Sequence, residues 1–393
     1  MSSLDTTDLY DATREAVDRA KARPDTGETL RERFRKTMHY ETPDRLPNFE
    51  FGYWDETLPA WREQGLPPEI TNERKAYEYF GIEDMRGAPG RTGLKGEMRQ
   101  EETIEETDDY RIYRDRIGVV LKQPKDGHST IPQHISFPLK DHESWEWFRD
   151  RLMPEGRVPA DIADRVKELN ASDVPVRAGI GSLLGWIRDW MGFEEFAMAT
   201  IERPEFLEEM IEHITRNVVS VLGELAAAGL KPDVGGGWED ICFNSGPICG
   251  VKFFEDVVVS RYARINEVLR GMGCDIMFTD CDGDISLLVP GFLKAGMNCM
   301  FPVEVNAGSD PVRLRKEHGR DLRFLGGVDK MKMAAGKKAI EAELMRLLPV
   351  VEEGGFIPHC DHRCPPTVSL EDYKFYLDLK RELFACGKRE KQY

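Results

Sequence analysis

No uninterrupted apolar run in the 393-residue sequence is long enough to cross a bilayer, and the opening segment MSSLDTTDLYDATREAVDRAK has no apolar stretch typical of a signal peptide. The chain also has little positive charge: 54 Lys and Arg against 71 Asp and Glu give a formal net charge of −17. Because nucleic acids and anionic membrane surfaces repel such a charge, we expect neither as a partner. We predict a cytoplasmic enzyme.

Cysteine is absent from the first part of the chain, and all eight cysteines lie from Cys242 onward. A large acidic chain without a secretion signal is not expected to depend on disulfide bonds, so most of these residues are predicted to be small buried apolar groups. Cys281 and Cys360 differ because acidic residues or histidines flank them.

The sequence also lacks the glycine-rich fingerprints G-x-G-x-x-G and G-x-x-x-x-G-K-[ST] after any predicted strand, which argues against nucleotide binding. From Asp173 onward, short apolar or Gly-rich runs alternate with longer helical patterns, as parallel βαβ units require. With a further strand predicted at residues 46–51 the count is seven, and eight lies within the error of such a count. We therefore predict an α/β fold, a (β/α)8 TIM barrel; an open doubly wound sheet is the alternative.

The whole chain, residues 1–393, is predicted to form one domain. Residues 1–29 form an N-terminal helical extension, and Thr29 is placed to cap the helix that follows. Residues 86–154 begin Gly-rich and continue with alternating hydrophobicity, which predicts an antiparallel β insertion. We place this insertion near the barrel mouth, as a lid or one wall of a cleft, or as an insertion without a functional role.

Most predicted strands end on a carboxylate, an aromatic ring or an imidazole. Because the carboxyl ends of barrel strands share one mouth, we expect these side chains to converge there. Crowded carboxylates raise one another's pKa, so one of them can act as a general acid near neutral pH; alternatively, they bind a cation. The catalytic candidates are Asp280, Asp282, Glu304 and His362, and the substrate-binding candidates are Tyr53, Trp54, Trp186, Trp238, Glu239, Asp240 and Lys330.

The stretch IPHCDHRCPP, residues 357–366, concentrates histidine, cysteine and aspartate. A metal site is one interpretation: Asp280, Asp282, Cys360 and His362 offer oxygen, sulfur and nitrogen ligands for zinc or another divalent ion. No spacing among them is a recognised zinc signature. The other interpretations are a catalytic acid, His362 oriented by Asp361 or Asp282, and a polar loop that bonds only to backbone.

Four segments together resemble the uroporphyrinogen decarboxylase superfamily, over roughly residues 30 to 385. Within it, the chain looks like the corrinoid-dependent methyltransferases. The segments are RERFRKTMHYETPDRLP (31–47), GFEEFAMATIERPEFLEEMIEHI (192–214), DCDGDISLLVPGFLKAGMNCMFPVE (280–304) and GGVDK (326–330).

The resemblance implies two chemistries. The porphyrin decarboxylases carry arginines just after the first strand, where this chain reads GYWDETLPAW, with no arginine before Arg62. In the methyltransferases, a zinc motif His-x-Cys-Gly falls on Asp280, Asp282 and Gly283, and a late cysteine ligand falls on Cys360. Two of the three ligands are therefore carboxylates here, which fits a different methyl donor.

We therefore expect a methyltransferase that passes a methyl group from a small donor, an aryl methyl ether or a methylated amine, to a corrinoid (cobalamin) on a partner protein. An acid would protonate the leaving group. The resemblance allows a bound zinc ion and a homodimer without requiring either. The alternatives are a lyase acting on a carboxylated substrate other than uroporphyrinogen, and a binding protein that has lost turnover.

Overall fold

A computed structural model describes residues 6–125 and 132–386. Short strands alternate with helices along most of this length. The strands are, in chain order, β1 (Arg86–Gly87), β2 (Glu102–Glu106), β3 (Tyr110–Arg114), β4 (Val120–Pro124), β5 (Gln133–Ser136), β6 (Val176–Gly181), β7 (Val234–Trp238), β8 (Cys242–Phe243), β9 (Gly246–Pro247), β10 (Met277–Asp280), β11 (Cys299–Phe301), β12 (Arg323–Val328) and β13 (Phe356–Cys360).

The helices surround these strands, and a π-helical turn at Phe254–Val258 joins α10 to α11. The helices are α1 (Thr6–Lys21), α2 (Leu30–Met38), α3 (Thr57–Glu63), α4 (Glu73–Phe80), α5 (His142–Arg151), α6 (Ile162–Asn170), α7 (Gly185–Met191), α8 (Phe193–Glu202), α9 (Pro204–Ala227), α10 (Val251–Phe253), α11 (Val259–Gly271), α12 (Val289–Lys294), α13 (Pro311–His318), α14 (Lys330–Ala334), α15 (Lys337–Glu353) and α16 (Leu370–Phe384). Within the described ranges, no helix is both long and apolar enough to span a bilayer.

Seven parallel strands form the central sheet in the order β1-β6-β7-β10-β11-β12-β13. The last six are the strands predicted from the alternating pattern, and the sheet curls into a half-barrel. Its edge strands β1 and β13 are not hydrogen-bonded to each other among the described residues. The structure therefore shows a curled α/β sheet, and closure into an eight-stranded barrel is not shown.

The strand predicted at residues 46–51 is wrong. Within this segment only Leu46 forms an isolated bridge, to Cys386, and the next bridge, from Tyr53 to Cys364, lies two residues beyond it. Pro47 has no N–H to donate to a ladder. The backbone of Asn48 is bonded to Glu83 instead: its N–H donates to the carboxylate at 2.9 Å, and its carbonyl accepts from the Glu83 N–H at 2.9 Å.

The amino end of the half-barrel is closed by α2. Thr29 caps this helix as predicted: its hydroxyl accepts from the Glu32 N–H at 3.2 Å, and the Glu32 carboxylate accepts from the Thr29 N–H at 2.7 Å. Phe34 and Met38 are completely buried in a small apolar cluster with Phe49 and with inward residues of the strands, such as Phe278. This cluster forms a floor beneath the space inside the sheet.

The predicted antiparallel sheet is present, formed by β2, β3, β4 and β5 in that order. The residues before and after it have other structures, since Arg86–Gly87 is the first strand of the parallel sheet and His142–Arg151 is a helix. The chain that leaves β5 packs on the end of α7: the Leu139 N–H donates to the Trp190 carbonyl at 3.0 Å. Because α7 follows the carboxyl end of β6, the insertion is attached on the side where the strands end.

Candidate active site

A cavity of about 520 Å³ lies inside the curl of the parallel sheet. Glycines on the two neighbouring strands β6 and β7 make room for it, among them Gly179 and Gly236. A Cβ at Gly236 would lie 2.6 Å from the Phe278 ring and 2.7 Å from Cδ of Arg177, so only glycine fits there without movement. The cavity is of the size that takes a small molecule.

The cavity has an apolar floor and ionisable walls. The floor includes Phe49, Met85, Phe278, Phe301 and Leu325. The ionisable side chains of the walls are Glu50, Glu73, Tyr77, Asp84, Arg177, Asp280, His359 and Arg363. The sequence led us to expect an acidic mouth, but the cavity wall also carries positive charge. Arg363 pairs with Glu73 at 3.2 Å, and Arg177 contributes a second guanidinium group.

Three of the predicted carboxylates do meet. Asp240, Asp280 and Asp282 each place one oxygen within 4.8 Å of the others. Burial raises the pKa of Asp240 to about 6, helped by the charge of Asp282. Burial raises the pKa of Asp280 well above its ordinary value, and the charges of Asp240 and Asp282 raise it further, against the opposing effect of Arg177. Asp280 lines the cavity, and its raised pKa makes it a better proton donor than an ordinary aspartate is at the same pH.

His362 extends this acidic group. Its Nε2 atom lies 3.2 Å from Oδ2 of Asp282, and its ring is stacked on Trp54 with centroids 5.2 Å apart. Burial lowers the pKa of His362, but the hydrogen bond and charge of Asp282 outweigh burial, so its pKa is raised. Within the described ranges, Nδ1 of His362 and Oδ1 of Asp282 are buried without a hydrogen-bond partner. Both atoms are available to a ligand or a water molecule.

Glu304 and Lys330 lie beside this group and neutralise each other. The Lys330 ammonium is 2.6 Å from Oε1 of Glu304 and 3.7 Å from Oδ1 of Asp361. Asp361 accepts the backbone N–H groups of Val305 and Lys330, and burial raises its pKa to about 6 against the opposing charge of Lys330. Asp361 therefore holds the loops together, and the partner that orients His362 is Asp282.

The family model for uroporphyrinogen decarboxylase (URO-D) matches residues 109–383, more than half of the chain. The chain belongs to the URO-D family. The resemblance seen in the sequence is thereby confirmed at the level of the family.

Two solved structures are similar to the structure of this chain. A methyltransferase from Methanosarcina mazei superimposes with a TM-score of 0.54 at 17% identity, over 91% of this chain and 99% of that one. A B12-independent methionine synthase from Shewanella sp. W3-18-1, in complex with selenomethionine, gives a TM-score of 0.39 at 12% identity, over 87% of this chain and 92% of that one. No curated protein matches the sequence. The first likeness shows a shared fold.

The zinc ligand set implied for a URO-D-type methyltransferase is not assembled. Among the described residues, the only group of His, Cys, Asp and Glu side chains close enough to share a metal ion is that of Asp240, Asp280 and Asp282. Cys360 is completely buried and is not part of this group. Of the predicted set of Asp280, Asp282, Cys360 and His362, only the two aspartates belong to this group, with Asp240 as the third member. Three carboxylates suit a hard divalent cation better than zinc.

Two predicted substrate-binding residues are structural. Glu239 is completely buried, and its carboxylate accepts the N–H groups of Leu183, Leu184 and Gly185 at 2.8–2.9 Å and the hydroxyls of Ser182 and Tyr262. It joins the loop after β6 to the loop after β7. Tyr53 is buried among aromatic rings, with its hydroxyl 3.0 Å from that of Tyr373.

The tryptophans divide in the same way. Trp238 lines the cavity, whereas Trp186 stacks on Trp190 and meets Trp238 edge-on at 6.5 Å. Trp54 stacks on the ring of His362 and is not among the residues that line the cavity. Of the four aromatic residues predicted at the mouth, only Trp238 is among those that line the cavity.

Several residues of the cavity wall are not among the site residues predicted from the sequence. His359 is buried, and its Nδ1 lies 2.9 Å from the Cys360 carbonyl; burial lowers the pKa of His359 to about 4, so it is neutral. Glu50 is held by the Lys380 ammonium and by the Tyr376 hydroxyl. The alternation of strand side chains was the available signal: His359 lies two residues after Ile357, which belongs to the floor cluster, so both face inward.

Proposed function

We propose that this URO-D family member is a methyltransferase. It would take a methyl group from a small donor, an aryl methyl ether or a methylated amine, and pass it to a corrinoid carried by a separate protein. Membership of the URO-D family, the sequence resemblance to its methyltransferases and the fold shared with the Methanosarcina mazei methyltransferase support this proposal. The observation that carries it is the position of Asp280 on the wall of a small-molecule cavity, beside Asp240 and Asp282, where burial and the two neighbouring carboxylates raise its pKa.

In the proposed reaction, the donor lies on the apolar floor with the leaving oxygen or nitrogen toward Asp280. The methyl carbon accepts an electron pair from the acceptor, and its bond to the leaving atom breaks. That bond's electron pair stays with the leaving atom, which takes the proton of Asp280. A general acid of this kind contributes on the order of 10²–10⁴-fold in rate. His362, protonated beside Asp282, returns a proton to the group.

The cavity fits a small donor but not a corrinoid ring as well, since about 520 Å³ is the size of a single small-molecule site. The corrinoid would therefore stay on its carrier protein and meet the donor at the carboxyl ends of the strands. The family's zinc ligand set has no match here, because only the carboxylates of Asp240, Asp280 and Asp282 lie close enough together to share an ion among the described residues. The proposed mechanism therefore assigns proton transfer to Asp280 and His362.

A second candidate is a lyase acting on a carboxylated substrate other than uroporphyrinogen. The presence of Arg177 and Arg363 in the cavity wall favours it, since guanidinium groups bind carboxylates in a bidentate manner. Product analysis separates the two functions: a lyase releases carbon dioxide without an acceptor, whereas a methyltransferase leaves the carboxylate in place.

The test is a methyl-transfer assay with the purified chain, a reduced free corrinoid and a panel of donors. Methylation of the corrinoid is followed by its absorbance and demethylation of the donor by chromatography. Asp280→Asn should lower turnover about 10²-fold or more, while Asp164→Asn, an exposed position on α6, should not change it. If no aryl ether or methylated amine donates a methyl group, and a carboxylated substrate releases carbon dioxide, the methyltransferase proposal is contradicted and the lyase is supported.

A further inference from the structure

Arg177, on strand β6, differs from the other basic groups around the cavity. It lines the cavity and is exposed, yet within the described ranges its guanidinium forms no hydrogen bond or ion pair. Arg363 is bonded to Glu73 and to the Tyr53 carbonyl, and Lys330 is bonded to Glu304. Since an arginine is always charged in a protein, Arg177 gives the cavity a positive charge that has no hydrogen bond or ion pair among the described residues.

The acidic residues of the cavity do not neutralise Arg177 by contact. Glu50 is paired with Lys380, and Glu73 with Arg363. Asp84 accepts the Met85 N–H at 2.7 Å and forms no ion pair with Arg177 in the described part of the chain. Arg177 lowers the pKa of Asp280, but burial and the charges of Asp240 and Asp282 outweigh this effect, so the pKa of Asp280 is raised.

The side chain of Arg177 is also placed by its neighbours. Its Cδ passes over Gly236, so close that a Cβ at that position would be 2.7 Å away, and the same Cβ would meet the Phe278 ring. The guanidinium stem therefore runs along β7 beside an aromatic ring of the floor. Gly236 is paired with Phe278 and Trp238 with Asp280, so Asp280 lies two residues, roughly 6.6 Å, further along the sheet.

We propose that Arg177 binds a carboxylate on the methyl donor, and that it thereby selects donors that carry both a carboxylate and a transferable methyl group. This assignment rests on the proposed methyltransferase function for the identity of the ligand as a donor. The carboxylate lies at Arg177, the body of the donor lies on Phe278 and Phe301, and the methylated atom lies near Asp280. The apolar floor favours an aromatic ring as the body, and a betaine shares the same carboxylate chemistry.

The test measures binding to the full chain by titration calorimetry, without corrinoid and without turnover. The probes are 4-methoxybenzoate and 4-methoxybenzamide, which share the ring and the methoxy group and differ in charge. Wild type should bind the benzoate on the order of tenfold more tightly or better, as for a hydrogen-bonded charged pair. Arg177→Gln should abolish this preference and leave the affinity for the amide nearly unchanged. Arg165→Gln, an exposed arginine of α6 paired with Asp161, removes the same charge elsewhere and should keep the preference.

A second pair of probes, glycine betaine and choline, distinguishes the source of the carboxylate. If wild type prefers glycine betaine over choline but does not prefer the benzoate over the benzamide, and if Arg177→Gln loses that preference, the same site binds a betaine donor. The proposal is overturned if wild type shows no carboxylate preference in either pair, or if Arg177→Gln retains it. If Arg177→Gln does not fold, Arg177→Lys, which keeps the charge and loses the bidentate fork, should reduce the preference; the wild-type comparison needs no variant.

Turnover separates this proposal from the proposed function. If the chain binds carboxylates through Arg177 but transfers no methyl group to a corrinoid, the proposed role of Arg177 is supported and the proposed methyltransferase function is contradicted. Methyl transfer from an uncharged aryl methyl ether, at the rate seen with the benzoate, would keep the methyltransferase and overturn the role of Arg177.

Discussion

The Nε2 atom of His362 lies 3.2 Å from Oδ2 of Asp282, joining the loop after β13 to the loop after β10. The raised pKa of His362 means that this pair is charged at a higher pH than a free histidine would allow. Its contribution to stability is fully present below the ordinary pKa of 6.5 and is lost as the pH rises through the raised value.

The first prediction concerns the alkaline side of the pH–rate profile. Asp282→Asn should move the alkaline fall of kcat/KM to lower pH, because Asp282 raises the pKa of both His362 and Asp280. The measurement is kcat/KM across pH 5–10. Asp284→Asn, in which the altered carboxylate bonds to Ser286, is the matched control and should leave the midpoint in place. An unchanged midpoint in Asp282→Asn would contradict the assignment of the acid.

The second prediction concerns the proton supply. His362→Ala should lower turnover about 10²-fold or more, the usual range for lost acid catalysis, with donor affinity nearly unchanged. The loss should be smaller for donors whose leaving groups are more acidic, since these need the proton less. Initial rates over a series of substituted aryl methyl ethers measure this. If only thermal stability falls while turnover stays within a few-fold, the histidine is structural.

The third prediction concerns Glu239, which the structure places in a support role. Glu239→Ala would leave three buried N–H groups and two hydroxyls without their acceptor, so unfolding free energy should fall by about 3 kcal/mol or more. Urea denaturation measures this loss. Glu224→Ala, at an exposed position of α9, should change stability by no more than about 0.5 kcal/mol. Equal stability of the two variants would show that the bonds around Glu239 carry little energy.

The fourth prediction concerns the glycine beneath Arg177. Gly236→Ala should lower the melting temperature and weaken donor binding, because the added methyl group meets Phe278 and Arg177 at under 3 Å. Gly223→Ala is the control: nothing lies within 4 Å of its Cβ, and alanine should stabilise α9 by roughly 0.5–1 kcal/mol. Thermal melting and calorimetry provide both readings. Normal binding by Gly236→Ala would mean that the cavity has room to spare.

The fold was predictable where a strand is long enough to show a pattern. The six strands from β6 to β13 in the parallel sheet each follow a helical segment and consist of an apolar or Gly-rich run. Strand β1 has only two residues, Arg86 and Gly87, too few for any periodicity. Residues 46–51 have the composition of a strand. However, Pro47 has no N–H to donate to a neighbouring strand, and the N–H of Asn48 donates to the side chain of Glu83 instead.

The site was predictable only to the level of the strand ends. Asp280 and Asp282 lie together because Asp280 is the last residue of β10 and Asp282 comes two residues later. The glycine after them is required: at φ 85°, a Cβ on Gly283 would be 2.6 Å from the Cys242 backbone. Glu239 and Asp240 are adjacent in sequence, and one is a buried brace while the other joins the acidic group. Sequence does not show which direction a side chain takes where a strand gives way to a loop.

Charge pairing was the other limit. Nothing in the sequence separates Arg363, whose charge is paired with Glu73, from Arg177, whose charge is not. Both are arginines near predicted strands, and the partner of Arg363, Glu73, lies 290 residues away in the chain. Only the three-dimensional arrangement shows which positive charge is left for a ligand.

The stacking of Trp54 on His362, with planes inclined by 13°, gives the protein an optical reporter of its own acid. A protonated imidazole quenches the fluorescence of an indole that it touches more strongly than a neutral one does. The fluorescence of wild type minus that of Trp54→Phe should therefore brighten as the pH rises through the pKa of His362. The protonation of His362, on which the proposed mechanism depends, can therefore be followed by fluorescence in the protein alone, with no donor, acceptor or partner protein present.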